Sequence, residues 1–72
     1  MPTIYYTKNN GDMVISSIPT YKKVKSELKR LISDSSDNQV CVYRSRRGEW
    51  GEWFEHWSID NNKLIITKQG WQ

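Results

Sequence analysis

The sequence predicts an α+β fold in which one amphipathic helix packs on one face of a small antiparallel sheet. Five short runs rich in β-branched and aromatic residues are separated by turn-forming residues. A single stretch has the three-to-four-residue spacing of apolar side chains that is typical of a helix. The predicted order of elements is therefore β-β-α-β-β-β. With 72 residues the chain has room for one domain, residues 1–72.

The first two strands are predicted at residues 4–8 and 13–18, joined by the segment NNGD. Asn10-Gly11 is a strong signal for a two-residue hairpin turn, because both central residues of a type I′ turn have positive φ. Pairing about that turn places four apolar side chains on one face. This face is the expected core side, and its members are Ile4, Tyr6, Met13 and Ile15.

The helix is predicted to begin after Thr20, whose hydroxyl can cap the first turn. Apolar residues recur at helical spacing from Tyr21 to Ile32, and the following segment SDSSDN favours a turn, so the helix should end near Ser33. The opposite side of the helix is basic. Its cations include three lysines on one solvent-facing stripe, Lys22, Lys25 and Lys29.

Three further strands are predicted at about residues 39–44, 52–59 and 63–68. Asn61-Asn62 suit the central positions of a tight turn with positive φ. This turn places Ile59 opposite Leu64 and Trp57 opposite Ile66, with Trp53 on the same face. We therefore expect Trp53 and Trp57 to lie beneath the helix.

One short helix covers only part of a sheet, so the second face should be solvated or engaged with a partner. That face carries Phe54, His56 and Ile65. The position of Trp50, between Gly48 and Gly51, makes it the first choice for an exposed aromatic side chain.

Composition excludes a disulfide scaffold and a membrane-spanning chain. The one cysteine, Cys41, cannot form an intramolecular disulfide, which favours a cytoplasmic location. No apolar run approaches the ~18 residues of a membrane span, and no export signal is visible. We therefore expect no membrane partner.

The sequence offers little that is typical of an enzyme. It has one histidine, His56, and no glycine-rich phosphate loop, CxxC pair or nucleophile elbow. Cys41 lies between two valines in a predicted strand, which favours a packed thiol over a reactive one. We expect no catalytic residues, no metal and no cofactor.

The stretch RSRRGEWGEWFEHW, residues 44–57, combines arginines with three of the four tryptophans. Such a combination is typical of nucleic-acid interfaces, where cations contact phosphates and aromatic rings stack on unpaired bases. The formal net charge of +3 permits this role. The candidate residues are Lys22, Lys25, Lys29, Arg44, Arg46, Arg47 and Trp50.

Two other interpretations remain open. Glu49, Glu52 and Glu55 could neutralise the three arginines across the same hairpin. Alternatively, an aromatic sheet face could bind a protein partner or form a homodimer, through Trp50, Phe54, Ile65 and Trp71. The small size, the basic helix and the arginine-rich hairpin also suggest a regulatory or inhibitor module, with a mobile genetic element as one origin of the protein.

Overall fold

The computed structural model describes residues 1–46, 48 and 50–72. Within these residues it has a five-stranded antiparallel sheet of order β2-β1-β3-β4-β5 and one helix, which confirms the predicted α+β fold. The elements are β1 (Thr3–Thr7), β2 (Met13–Ser17), α1 (Tyr21–Asp34), β3 (Val40–Arg44), β4 (Trp53–Asp60) and β5 (Lys63–Trp71).

Helix α1 begins where the sequence predicts. The hydroxyl of Thr20 accepts a hydrogen bond from the backbone N–H of Lys23 at 3.1 Å, which satisfies one of the free donors of the first turn. Its buried face consists of Val24, Leu28, Leu31 and Ile32. The described residues contain no helix that is long and apolar enough to cross a lipid bilayer.

The core lies between α1 and the inner face of the three central strands. β3 contributes two fully buried valines, Val40 and Val42, because alternate side chains of a strand point to the same face. β4 contributes Trp57, and β1 contributes Ile4 and Tyr6. The outer face of the sheet is left without a covering layer by the described residues.

The first hairpin has a three-residue loop rather than the predicted two-residue turn. The N–H of Lys8 donates to the carbonyl of Asp12 at 2.7 Å, and the N–H of Gly11 donates to the carbonyl of Lys8 at 2.9 Å. Asn9, Asn10 and Gly11 therefore form the loop, with Gly11 at φ +93°. A glycine with positive φ at the third position is a common solution for loops of this length.

The longer loop makes the predicted pairing of β1 with β2 wrong by one residue. Tyr6 pairs with Val14 instead of Ile15. Because strand side chains alternate, this shift moves every β2 residue to the other face. Val14 packs against the core, whereas Met13 and Ile15, both predicted to be buried, are 57% and 69% exposed.

The loop conformation predicts a specific cost for replacing Gly11. Gly11→Ala should lower the free energy of unfolding by about 1 kcal/mol, because a Cβ disfavours positive φ. A Cβ at this position would meet no atom within 4 Å, so the cost is conformational rather than steric. Urea denaturation measures it. Gly11→Asn is the control and should cost less, since asparagine tolerates this backbone region; equal costs would contradict the explanation.

The last hairpin forms as predicted. Asn61 and Asn62 have φ of 50° and 63°, and they connect β4 directly to β5. The predicted pairs of Ile59 with Leu64 and Trp57 with Ile66 are both present. Beyond them, His56 pairs with Lys68, so β5 contains one extra residue in the form of a β-bulge.

Several functional candidates gather at one end of the sheet. Thr3 of β1 lies opposite Ser17 of β2 and Tyr43 of β3 at this end, while Trp53 of β4 lies opposite Trp71 of β5. The N-terminus of α1 meets the same end, where the ring of Tyr21 contacts Arg44. Both chain ends and the start of the β3–β4 connection are therefore close together.

Candidate functional site

A buried carboxylate organises this end of the molecule. Glu55 is only 2% exposed, although it lies in a strand between two tryptophans. Its Oε1 accepts hydrogen bonds from Tyr21 Oη at 2.7 Å and from Trp57 Nε1 at 3.0 Å. Its Oε2 accepts from Trp53 Nε1 at 3.0 Å and from Arg44 Nη2 at 3.3 Å. Four donors from three elements, α1, β3 and β4, thus converge on one side chain.

The four donors hold Glu55 in its charged form. Burial by itself raises the pKa of this carboxyl, but the hydrogen bonds from Tyr21, Trp57 and Trp53 and the charge of Arg44 outweigh it. The pKa of Glu55 consequently lies below its ordinary value. Burial, together with the hydrogen bond to Glu55 and its charge, raises the pKa of Tyr21 to about 12. Tyr21 therefore remains a neutral donor at physiological pH.

Sequence reasoning missed Glu55 as a structural centre. It placed both Trp53 and Trp57 beneath the helix, but only Trp57 lies in the core, whereas Trp53 is half-buried. Glu55 lies between them with the same strand parity. The pattern W-x-E-x-W thus places a carboxylate within reach of two indole N–H groups. The possible neutralisation of Arg44 by Glu55 is confirmed, since the two form an ion pair at 3.3 Å, but this pair is largely buried rather than a surface pair.

Arg44 is committed to this network. Its guanidinium bonds to Glu55 and also lies 4.0 Å from the centroid of the Tyr21 ring. The side chain is 28% exposed. The geometry therefore gives Arg44 an internal role, unlike the free phosphate contact that the sequence suggested.

A row of cations and aromatic rings extends outward from this network. Arg46 lies 4.7 Å from the centroid of the Trp53 ring and 5.7 Å from that of Trp71. Trp53 and Trp71 contact each other edge to face, with centroids 5.1 Å apart. Arg44 lies opposite Trp53 in the pairing of β3 with β4, and Lys25 Nζ lies 5.8 Å from the centroid of the Tyr21 ring. The cation–aromatic surface consists of Lys25, Tyr21, Arg44, Trp53, Arg46 and Trp71.

The β-bulge explains why Trp71 belongs to this surface. Without the extra residue, Trp71 would share the strand parity of Ile65 and face away from the helix. The bulge instead brings Trp71 opposite Trp53 on the helix side. The Trp71 ring packs edge to face against Trp53, and 41% of the residue remains exposed.

The same placement corrects the predicted protein-binding patch. Phe54 and Ile65 both lie on the uncovered face of the sheet, and Phe54 rests against the backbone of Gly70. Trp71 lies on the opposite face. The predicted combination of Phe54, Ile65 and Trp71 in one contact surface is therefore wrong, because a bulge that the sequence did not reveal changes the side on which Trp71 lies.

The helix lysines extend the cationic part of the surface. Lys22, Lys25 and Lys29 are all exposed. They are three and four residues apart, so they form one stripe along α1. Lys25 joins this stripe to the cation–aromatic surface through its position near the Tyr21 ring.

Trp50 is the most exposed aromatic residue, at 96%, as predicted. It lies in the connection between β3 and β4, shortly before the strand that carries Trp53. Arg47, another predicted phosphate contact, and Glu49 lie outside the described residues.

The potential metal ligands of the described residues do not cluster. No group of three histidine, cysteine, aspartate or glutamate side chains lies close enough there to hold a metal ion. His56 bonds through Nδ1 to the Gln39 amide at 2.9 Å, on the uncovered face. Cys41 is half-buried, and burial raises the pKa of its thiol, which disfavours the reactive thiolate.

Comparison with known proteins adds no assignment, because no protein-family model, curated protein or solved structure matches this chain.

Proposed function

We propose that the chain binds single-stranded nucleic acid through the cation–aromatic surface and the neighbouring lysine stripe. The observation that supports this most directly is the grouping of Arg46 with the partly exposed rings of Trp53 and Trp71. Proteins that bind single strands combine cations that follow the phosphates with aromatic rings on which bases stack.

The hydrogen bonds to Glu55 favour this role because they fix an aromatic ring before a ligand arrives. Trp53 is held through its indole N–H, so its orientation is set by a buried carboxylate rather than by solvent. A ring that is already ordered loses less side-chain entropy on binding. Trp50 adds a third, freely accessible indole near the same strand end.

Unpaired bases fit this surface better than a duplex does. Stacking on an indole requires a base whose face is free, and in a duplex the base faces are covered by their neighbours. The lysine stripe of α1 is joined to the exposed rings through Lys25 and Tyr21, so a duplex that contacted only the lysines would leave these rings unused. Single-stranded DNA or RNA is therefore the proposed ligand class.

Four exposed cations near the aromatic rings are available to contact phosphates. Lys22, Lys25, Lys29 and Arg46 are exposed. In the part of the chain that the structure describes, none of the four forms an ion pair, whereas Arg44 does. Each phosphate contact with a single strand contributes a slope of about −0.7 to a plot of log K against log salt concentration. Four contacts should therefore give a slope of about −3.

Fluorescence anisotropy with a labelled oligonucleotide of about twelve thymidines or uridines tests the proposal. Arg46→Ala should weaken binding roughly fivefold at about 0.1 M salt and make the slope shallower by about 0.7, because one phosphate contact is lost. The matched control is Lys63→Ala, which removes an exposed cation at the far end of β4 and β5, roughly 23 Å away along the strand.

The control should bind within about twofold of the unmodified protein. Equal effects of the two substitutions would contradict the proposed site. An affinity independent of salt, or tighter binding to a duplex of the same length, would contradict the proposed ligand class.

A further inference from the structure

Strand β2 is an open edge of the sheet. In the part of the chain that the structure describes, β1 is its only sheet neighbour. The hydrogen bonds from Lys8 N–H to Asp12 O and from Ile18 N–H to Pro2 O fix which residues point toward β1. In an antiparallel pair, the backbone N–H and C=O groups of successive residues point alternately toward and away from the neighbouring strand. The residues between Asp12 and Ile18 follow this alternation. Three residues therefore direct both backbone polar groups away from the sheet: Met13, Ile15 and Ser17.

The edge at β2 lacks the features that normally prevent strand pairing. Its sequence MVISS contains no charge and no proline, and its pairing with β1 is regular throughout. The other edge strand, β5, has Lys63 and Lys68 and a β-bulge. Charged side chains and bulges are the usual protections of a free edge, so β5 is protected and β2 is open.

The side chains of β2 add apolar area to this open edge. Ile15 and Met13 point to the uncovered face of the sheet. On the same face, Tyr5 of the neighbouring strand pairs with Ile15 and is half-buried. A strand added at β2 would shield these apolar side chains as well as satisfy the backbone groups.

We propose that two copies of the chain form a two-fold symmetric dimer by antiparallel pairing of their β2 strands. With the axis beside Ile15, this residue lies opposite its own equivalent, and Met13 lies opposite Ser17 of the other copy. All three outward-facing residues then occupy hydrogen-bonded positions, which gives six backbone hydrogen bonds. The strand is thus complementary to itself, as a two-fold interface requires.

Charge explains why a second copy is a suitable occupant. Self-pairing brings like charges together wherever an edge is charged, but β2 has none. The basic helices stay apart because α1 packs over β3 and β4. About six strand spacings of ~4.8 Å separate the two helices in the dimer, or roughly 29 Å. This separation is well beyond the ~10 Å screening length at 0.1 M salt.

The interface is small, so the association should be weak and reversible. A stable complex buries about 1,200–2,000 Å² in total, and a five-residue edge buries less. We expect a dissociation constant on the order of 100 µM. The dimer should therefore dominate only in concentrated solution.

Sedimentation equilibrium between about 20 µM and 2 mM, together with amide exchange at both ends of this range, tests the dimer. Raising the concentration should increase the mean mass and should protect the amides of Met13, Ile15 and Ser17. Ile15→Pro should weaken dimerisation at least tenfold while the monomer remains folded, since its N–H points away from β1. Ile15→Lys provides a second variant, because it places two ammonium groups beside the axis.

The control is Ile65→Lys, which adds the same charge to the same sheet face near the other edge. It should dimerise like the unmodified chain. A monomer throughout the concentration range would overturn the proposal. A dimer that tolerates both Ile15 variants but is lost with Ile65→Lys would also overturn it, because that result indicates packing of sheet faces instead of edges.

Discussion

Replacing Glu55 with glutamine should lower the free energy of unfolding by about 3 kcal/mol, the typical cost of breaking a buried ion pair from one side. The amide can accept from Tyr21 and Trp57 on its oxygen side. Its NH₂ group would then face the donors of Trp53 and Arg44, so two donors lose their acceptor. For a domain of this size, the melting temperature should fall by about 12–24 °C.

Differential scanning calorimetry or urea denaturation measures this loss. Glu27→Gln is the matched control, because it removes a carboxylate that pairs with Arg30 at 3.2 Å on the helix surface. Surface pairs contribute only about 0–1 kcal/mol. If the two substitutions cost the same, the network around Glu55 does not stabilise the fold as described.

The effect should also depend on pH. The pKa of Glu55 in the folded protein lies below its ordinary value of 4.5, so ionised Glu55 stabilises the fold fully above that pH. This contribution is lost as the pH falls through the lower pKa of the folded state. The stability difference between the unmodified protein and Glu55→Gln should therefore shrink below pH 4.5. A constant difference would contradict a charged Glu55.

The double substitution Lys22→Glu and Lys25→Glu should weaken binding of a single-stranded oligonucleotide by at least about 25-fold at 0.1 M salt. Each lost contact removes about 0.7 log units under these conditions, and the added negative charges increase the loss. Fluorescence anisotropy measures the affinity.

The same variant should keep its stability within about 1 kcal/mol. Lys22 lies in the first turn of α1, which contains no acidic residue, and a glutamate there interacts favourably with the helix dipole. Lys25→Glu removes only a weak cation–π contact with Tyr21. Loss of binding without loss of stability would show that the lysines serve the ligand rather than the fold.

Lys63→Glu with Lys68→Glu is the matched control. Each substitution changes the charge by −2, so both double variants move the formal net charge from +3 to −1. The control residues lie in β5, away from the lysine stripe. The affinity of this control variant for the oligonucleotide should decrease about threefold or less. Equal losses in the two variants would indicate that only net charge matters, and would contradict a defined site.

Local sequence signals were sufficient for the helix and the last hairpin. Thr20 caps α1 because its hydroxyl reaches a backbone donor three residues later, a contact that depends on neighbouring residues alone. The Asn61-Asn62 turn likewise sets the register of β4 and β5 near the turn. Both signals act within a few residues, so no knowledge of the rest of the fold was needed.

The register of β2 and the position of Trp71 could not be obtained in this way. Asn10-Gly11 is compatible with a two-residue or a three-residue loop, and these place Met13 and Ile15 on opposite faces. The bulge in β5 has no local signal of its own. It brings Trp71 against Trp53, a contact between different strands.

The candidate site was predicted only in part, because its cations were named from the sequence whereas the rings of Tyr21, Trp53 and Trp71 were not. The cations and Trp50 were identified from residue type, since exposure follows from charge and from the flanking glycines. Glu55 was missed because a charged residue is rarely buried without partners, and its partners come from three separate elements.

The gathering of both chain ends at one end of the sheet affects how the protein should be labelled. The N–H of Gln72 donates to the carbonyl of Glu52 at 2.9 Å, next to Trp71, and the carbonyl of Pro2 accepts from the N–H of Ile18 just before α1. An affinity tag or fluorescent protein joined directly before residue 1 or after residue 72 would therefore crowd the rings and cations of the proposed site. A small dye at the Asn61-Asn62 turn, at the other end of β4, leaves that site clear and is the better reporter for titrations.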